Sequence, residues 1–149
     1  MRRLILAVPF VLFACAKGET PPADSAAMAA APAALTEADV AGNWSGNLMM
    51  EGSDSVVATW TETCGGGTCR LVVSTAPNDT VVGTYTIAGD SVTYTVAAHP
   101  DPTMGGAMIT ESGSGRIIAG TLTGSGQARL AAKPDSVVMR YRFTGTKTP

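Results

Sequence analysis

From Gly42 to Thr146 apolar side chains alternate with threonine, serine and charged residues, and breaks rich in glycine or proline recur about every ten residues. A period of two places one residue set on each face of a strand. The clearest case is the last run, where Val137, Met139, Tyr141 and Phe143 share a face while Val138, Arg140, Arg142 and Thr144 share the other. Around Gly89-Asp90, Val81, Tyr85 and Ile87 oppose Val92, Tyr94 and Val96, with threonines on the reverse face, which is the pattern of a tight hairpin. Gly124-Ser125-Gly126 and Pro134-Asp135 mark two more turns. The pattern predicts strands near 42–50, 55–63, 69–75, 80–88, 91–98, 107–112, 116–123, 126–131 and 136–146. Such a chain is all-β: an antiparallel meander barrel of about eight to nine strands, with a β-sandwich as the alternative.

Upstream the alternation stops. Residues 16–35 are mostly Ala, Pro, Ser and Gly, with no apolar period and therefore no means of burying a core. Pro21, Pro22 and Pro32 keep the chain extended, so 15–35 is expected to be a disordered tether and 36–149 the folded domain. Thr36-Glu37-Ala38-Asp39-Val40 predicts one helical turn, with Thr36 as N-cap and Asp39 three residues on.

Charge excludes one class of partner. After residue 17 Lys and Arg stand singly, whereas neutralising nucleic-acid phosphates takes clustered cations. Of the three cysteines, Cys64 and Cys69 frame Cys-Gly-Gly-Gly-Thr-Cys, a flexible turn suited to a disulfide that staples a hairpin. A redox or metal site is the rival reading, but one distant histidine and no second cysteine pair cannot complete a four-ligand zinc site.

The N-terminus carries a different signal. Met1-Arg2-Arg3 precedes an apolar run from Leu4 to Phe13, too short for the ~20 residues a spanning helix needs, and then Ala14 and Cys15. Leu12-Phe13-Ala14-Cys15 resembles the lipobox of bacterial lipoproteins. That resemblance implies a signal peptide over 1–14, cleavage before Cys15, acylation of its thiol and a membrane partner reached through the lipid. Arg2 and Arg3 are two of the ten basic residues, so cleavage leaves eight against twelve acidic, a formal charge of −4. Ala16 after the cysteine implies sorting to the outer membrane, facing the periplasm.

Val40-Ala41-Gly42-Asn43-Trp44 is similar to the start of lipocalins and related calycin barrels, in which Gly-x-Trp opens the first strand after one helical turn. The resemblance implies a closed, lipocalin-like barrel whose tryptophan plugs the base under a basic residue of the last strand, the place of Arg140 or Arg142. It also implies a small apolar ligand, with Trp60, Tyr85, Tyr94, Met104 and Met108 as candidate lining. An eight-stranded barrel is just wide enough to be filled by side chains or to hold one small ligand. Short strands with modest inward residues favour filling, while Gly83, Ala58, Gly120 and Ala128 at inward positions leave room. A monomer is expected.

Catalytic chemistry has little support in the sequence. His99 is the only histidine and lies in Ala98-His99-Pro100-Asp101-Pro102, a rigid loop where an exposed polar residue is ordinary. Glu62 and Glu111 lie on strands; Glu111 has a cavity-facing option, but an edge or solvent-facing carboxylate is the commoner case. Gly113-Ser114-Gly115 is not followed by a helix and forms no phosphate loop. No catalytic residue, cofactor or metal is expected, and the function read is non-enzymatic binding of an apolar ligand or an envelope component. A structural or interaction module with a filled core is the alternative. Convergent ionisable groups in a pocket would favour a hydrolase or isomerase instead.

Overall fold

The computed structural model describes residues 34–149; the expected signal peptide over 1–14, Cys15 and nearly all of the expected tether over 15–35 lie outside the described residues. One helical turn, α1 (Glu37–Val40), precedes eight strands: β1 (Gly42–Met50), β2 (Val56–Gly65), β3 (Thr68–Val73), β4 (Val81–Ala88), β5 (Ser91–Asp101), β6 (Ala107–Ile118), β7 (Thr121–Leu130) and β8 (Lys133–Thr148). Each strand pairs antiparallel with the next, and β1 pairs with β8, so the sheet closes into a meander barrel and the sandwich alternative falls. The outer face carries exposed Thr59, Thr61, Thr63, Thr86, Thr93 and Thr95 together with single exposed aliphatic residues such as Val82 and Ile118, whereas the inner face carries the tryptophans, the tyrosines and the buried aliphatic residues. Polar outside and apolar inside is the reverse of a membrane-spanning barrel.

Nine predicted strands become eight because two glycine-rich segments do not turn. Gly113-Ser114-Gly115 lies within β6 and Gly124-Ser125-Gly126 within β7, and they pair directly, Gly113 with Gly126, Ser114 with Ser125 and Gly115 with Gly124. The reason is inside the barrel. A Cβ on Gly113 or Gly126 would overlap the Tyr94 hydroxyl, and one on Gly124 would overlap the Phe143 ring. These glycines answer a need for close approach, not for a bend. The true turn is Ala119-Gly120, where both residues have positive φ, so Gly120 faces no interior. Pro134-Asp135 likewise lies in β8, after a turn at 131–132.

The base of the barrel is built around Trp44, 2% exposed, whose indole N–H donates to Val40 O at 2.8 Å. The Asp39 carboxylate accepts from the Thr36 amide and hydroxyl at 2.8 and 2.7 Å, which fixes α1 as a lid. Glu37 accepts from the Gly66 amide at 2.8 Å and from the Tyr85 hydroxyl, tying α1 to β4 and the β2–β3 turn. Leu35, placed in the tether by its sequence, donates its amide to Gly89 O at 2.7 Å and packs on the core, so the domain starts earlier than 36. Cys64 and Cys69 stand opposite each other in the β2–β3 hairpin and are disulfide-bonded.

The cation over Trp44 is neither Arg140 nor Arg142 but Lys147, whose ammonium lies 5.6 Å from the ring centroid and donates to Ala38 O at 2.7 Å. Parity decides this. Lys147 has the same strand parity as Tyr141 and Phe143 and sits opposite Trp44, while Arg140 and Arg142 point outward near the other end. There Arg142 donates to Ser53 O and Asp54 Oδ1 at 2.7 and 2.8 Å, and Arg140 faces Glu51 at 3.9 Å.

Candidate functional site

The lumen holds a cavity of about 420 Å³. Its lower part is walled by Val40, Trp44, Cys64, Cys69, Tyr85 and Val92, and its upper part by Leu48, Val57, Val73, Val81 and Met139. Thr75, Ala76, Asp79, Pro102 and Thr103 extend the wall into the loops at the end opposite α1. The cavity survives in so narrow a barrel because large rings lie flat on bare backbone. Trp60 rests against Gly46 and Gly145, where an added Cβ would come within 2.6 Å of its ring, and Tyr94, Tyr141 and Phe143 occupy the equivalent space over Gly113, Gly126 and Gly124. With ordinary residues on that wall, the same rings would be displaced into the lumen. Short strands with modest inward residues favour filling, yet the interior keeps this cavity.

A line of polar groups crosses this apolar space. Tyr141 donates its hydroxyl to Glu111 Oε2, which leaves its oxygen to accept from Tyr94 at 2.9 Å. The other Glu111 oxygen lies 3.2 Å from His99 Nε2. His99 Nδ1 is 3.1 Å from Ala97 O, and since a carbonyl only accepts, Nδ1 is the donor in that contact. Burial pushes both phenols well above the usual tyrosine range, so they remain donors at any working pH. Tyr94 also packs edge-on against Phe143, with centroids 5.8 Å apart.

Glu62 is the second carboxylate of the lumen. It projects from β2 between Trp44 on β1 and Leu71 on β3, its cross-strand neighbours. Among the described residues it makes no hydrogen bond or ion pair, and burial pushes its carboxyl up to about 7. Together with Cys64 and Cys69 it forms a cluster of metal-ligating type, with donor atoms within 4.8 Å of one another. The disulfide removes both thiolates, so the cluster offers an ion only one carboxylate.

Of the residues expected to line a ligand site, Trp60, Tyr85 and Tyr94 line this cavity. Met104 and Met108 do not. Met104 ends a 3₁₀ turn (Pro102–Met104) whose Pro102 and Thr103 line the cavity, while Met108, in β6, is 48% exposed on the outer face. Trp60 is as structural as Trp44, being 5% exposed with its N–H on Asn47 O at 3.2 Å. His99 was assigned to a loop, but β5 continues to Asp101 through a bulge between Val96 and His99. The bulge shifts parity and re-aims His99 inward onto Glu111. A histidine-proline segment gives no warning of this, whereas the strand parity of Glu62 and Glu111 would have placed both carboxylates inside. No protein-family model, curated protein or solved structure matches this chain.

Proposed function

We propose that the protein is a lipid-anchored envelope protein, lipocalin-like in fold, whose barrel holds a small, largely apolar ligand. The cavity carries this reading. A volume of about 420 Å³ falls in the range of small-molecule sites, roughly 300–1,000 Å³. Exchanging its water for apolar surface is favourable by about 25 cal/mol per Å². With Trp44 closing the base, the ligand enters past the loops at 51–55, 74–80 and 102–106. The anchor is supported by Leu12-Phe13-Ala14-Cys15, and the exposed polar outer wall suits a domain held beside a membrane rather than within it. Native mass spectrometry of the protein purified from its own envelope is expected to show one added small-molecule mass per chain. An unloaded protein that also gives no saturable response to apolar probes contradicts the ligand. Cys15→Ser is expected to release the folded domain to the soluble fraction, and retention after a carbonate wash contradicts the anchor.

A second reading is favoured by the His99–Glu111–Tyr141–Tyr94 line, which is able to move a proton to or from a bound molecule. Its nucleophile candidates are poor, since both lumen cysteines are oxidised, so the chemistry served is proton transfer rather than covalent catalysis. Incubating the co-purified ligand with the protein and with His99→Ala separates the two. A product formed only by the parent supports an enzyme, and unchanged ligand supports a carrier.

A further inference from the structure

We propose that the ligand is a cationic amphiphile, an amine that enters head-first and pairs its ammonium group with the Glu62 carboxylate; this rests on the ligand-binding reading above. Besides the phenols of Tyr85, Tyr94 and Tyr141, the ionisable groups that line the cavity are Glu62, Glu111, Asp79, Asp101 and His99, and the described lining holds no Lys or Arg. Five of the seven described basic side chains are engaged elsewhere: Arg142 on Ser53 and Asp54, Arg140 beside Glu51, Arg116 beside Asp90, Arg129 on Pro134 O, and Lys147 on Ala38 O. A lumen with acidic groups and apolar walls focuses a negative potential, which attracts a cation and repels a fatty acid or a phosphate.

Glu62 is singled out because the other lumen acids are satisfied. Both Glu111 oxygens have partners, Tyr141 and His99, and Asp101 accepts from the Thr103 amide and hydroxyl at 2.7 and 2.6 Å. Asp79 is exposed at the rim. Glu62 alone sits inside without a partner among the described residues, and a carboxylate taken out of water without one is costly. The groups facing it are Trp44 from β1, Leu71 from β3, the Cys64–Cys69 disulfide and the Tyr94 phenol from β5, none of them cationic, and His99, the lining group able to carry a positive charge, is paired with Glu111. An ammonium supplies three donors, enough for Glu62 with others left for the phenol oxygens. Depth sets the orientation. Glu62 is level with the Trp44 plug, and Leu48, Val57, Val73, Val81 and Met139 stand between it and the mouth, so the head lies deep and the apolar body above it.

The test uses the full chain carrying Cys15→Ser, which needs no detergent, at pH 8 where Glu62 is ionised. Decylamine, decanol and decanoate share one tail and differ in head. Both tryptophans line the cavity, so their fluorescence reports occupancy. Decylamine is expected to bind at least about tenfold tighter than decanol, the scale of one charge-assisted hydrogen bond, with decanoate weakest. Glu62→Gln should bring decylamine to the level of decanol, and saturable decanol binding by that variant shows that it is folded. The assignment is overturned if decanol or decanoate binds as tightly as decylamine, or if Glu62→Gln keeps the full preference. In that case the ligand reading stands. If none of the three binds, the ligand reading fails and the amine falls with it.

Discussion

Glu62 makes the barrel's stability depend on pH in a predictable direction. Its folded carboxyl titrates near 7 against an ordinary value of 4.5, so between those values the folded chain holds a proton that the unfolded chain has released. Stability from this group is fully present below pH 4.5 and is lost as pH rises through 7, by about 3 kcal/mol at most. Urea unfolding of the parent at pH 5 and pH 8 should show that loss, and Glu62→Gln should remove most of it. Equal pH dependence in parent and variant contradicts a buried, partnerless carboxyl. The same scale tests the base. Trp44→Ala is expected to cost roughly 3–5 kcal/mol, mostly from lost packing, whereas Arg140→Ala on the exposed outer face should stay within about 0.5 kcal/mol. Comparable losses in the two would mean that Arg140 supports the plug, which Lys147 does here.

Among the elements, the glycine wall of β6 and β7 matters most. Gly126→Ala puts a methyl group where the Tyr94 hydroxyl and Tyr141 ring now lie, and overpacking of this kind costs about 1–3 kcal/mol. The displaced rings should also narrow the lumen, so the variant is expected to lose both urea stability and ligand affinity, while Gly52→Ala, with open space around it, loses no affinity. A Gly126→Ala protein that binds as the parent does would show that the wall is not what keeps the cavity open. The elements themselves were largely legible. β1, β4 and β5 start where their alternation starts, because one wet and one dry face impose a period of two. The Gly89-Asp90 hairpin, the single turn capped by Thr36 and the Cys64–Cys69 staple follow from local chemistry and are as expected. Two features were not legible, and both depend on distant partners. Gly-Ser-Gly reads as a turn until the rings of Tyr94, Tyr141 and Phe143, brought from β5 and β8, are set over it. His99 reads as a loop residue until a bulge turns it toward a carboxylate on β6.

For the whole molecule, closure of the sheet is what converts these local facts into a site. Pairing β1 with β8 removes the exposed edges and brings Trp44, Lys147 and α1 together at one end, leaving the lumen open at the other. The central claim is that this lumen takes one small apolar molecule, and blocking it tests that most directly. Ala58 lines the cavity opposite Leu48 on β1, so Ala58→Phe fills space there. Titrating both soluble proteins with decanol and following tryptophan fluorescence should give saturable one-to-one binding in the parent and at least tenfold weaker binding, about 1.4 kcal/mol, in Ala58→Phe. Equal affinity in the two proteins, or no saturable response in the parent, would contradict a ligand held inside the barrel.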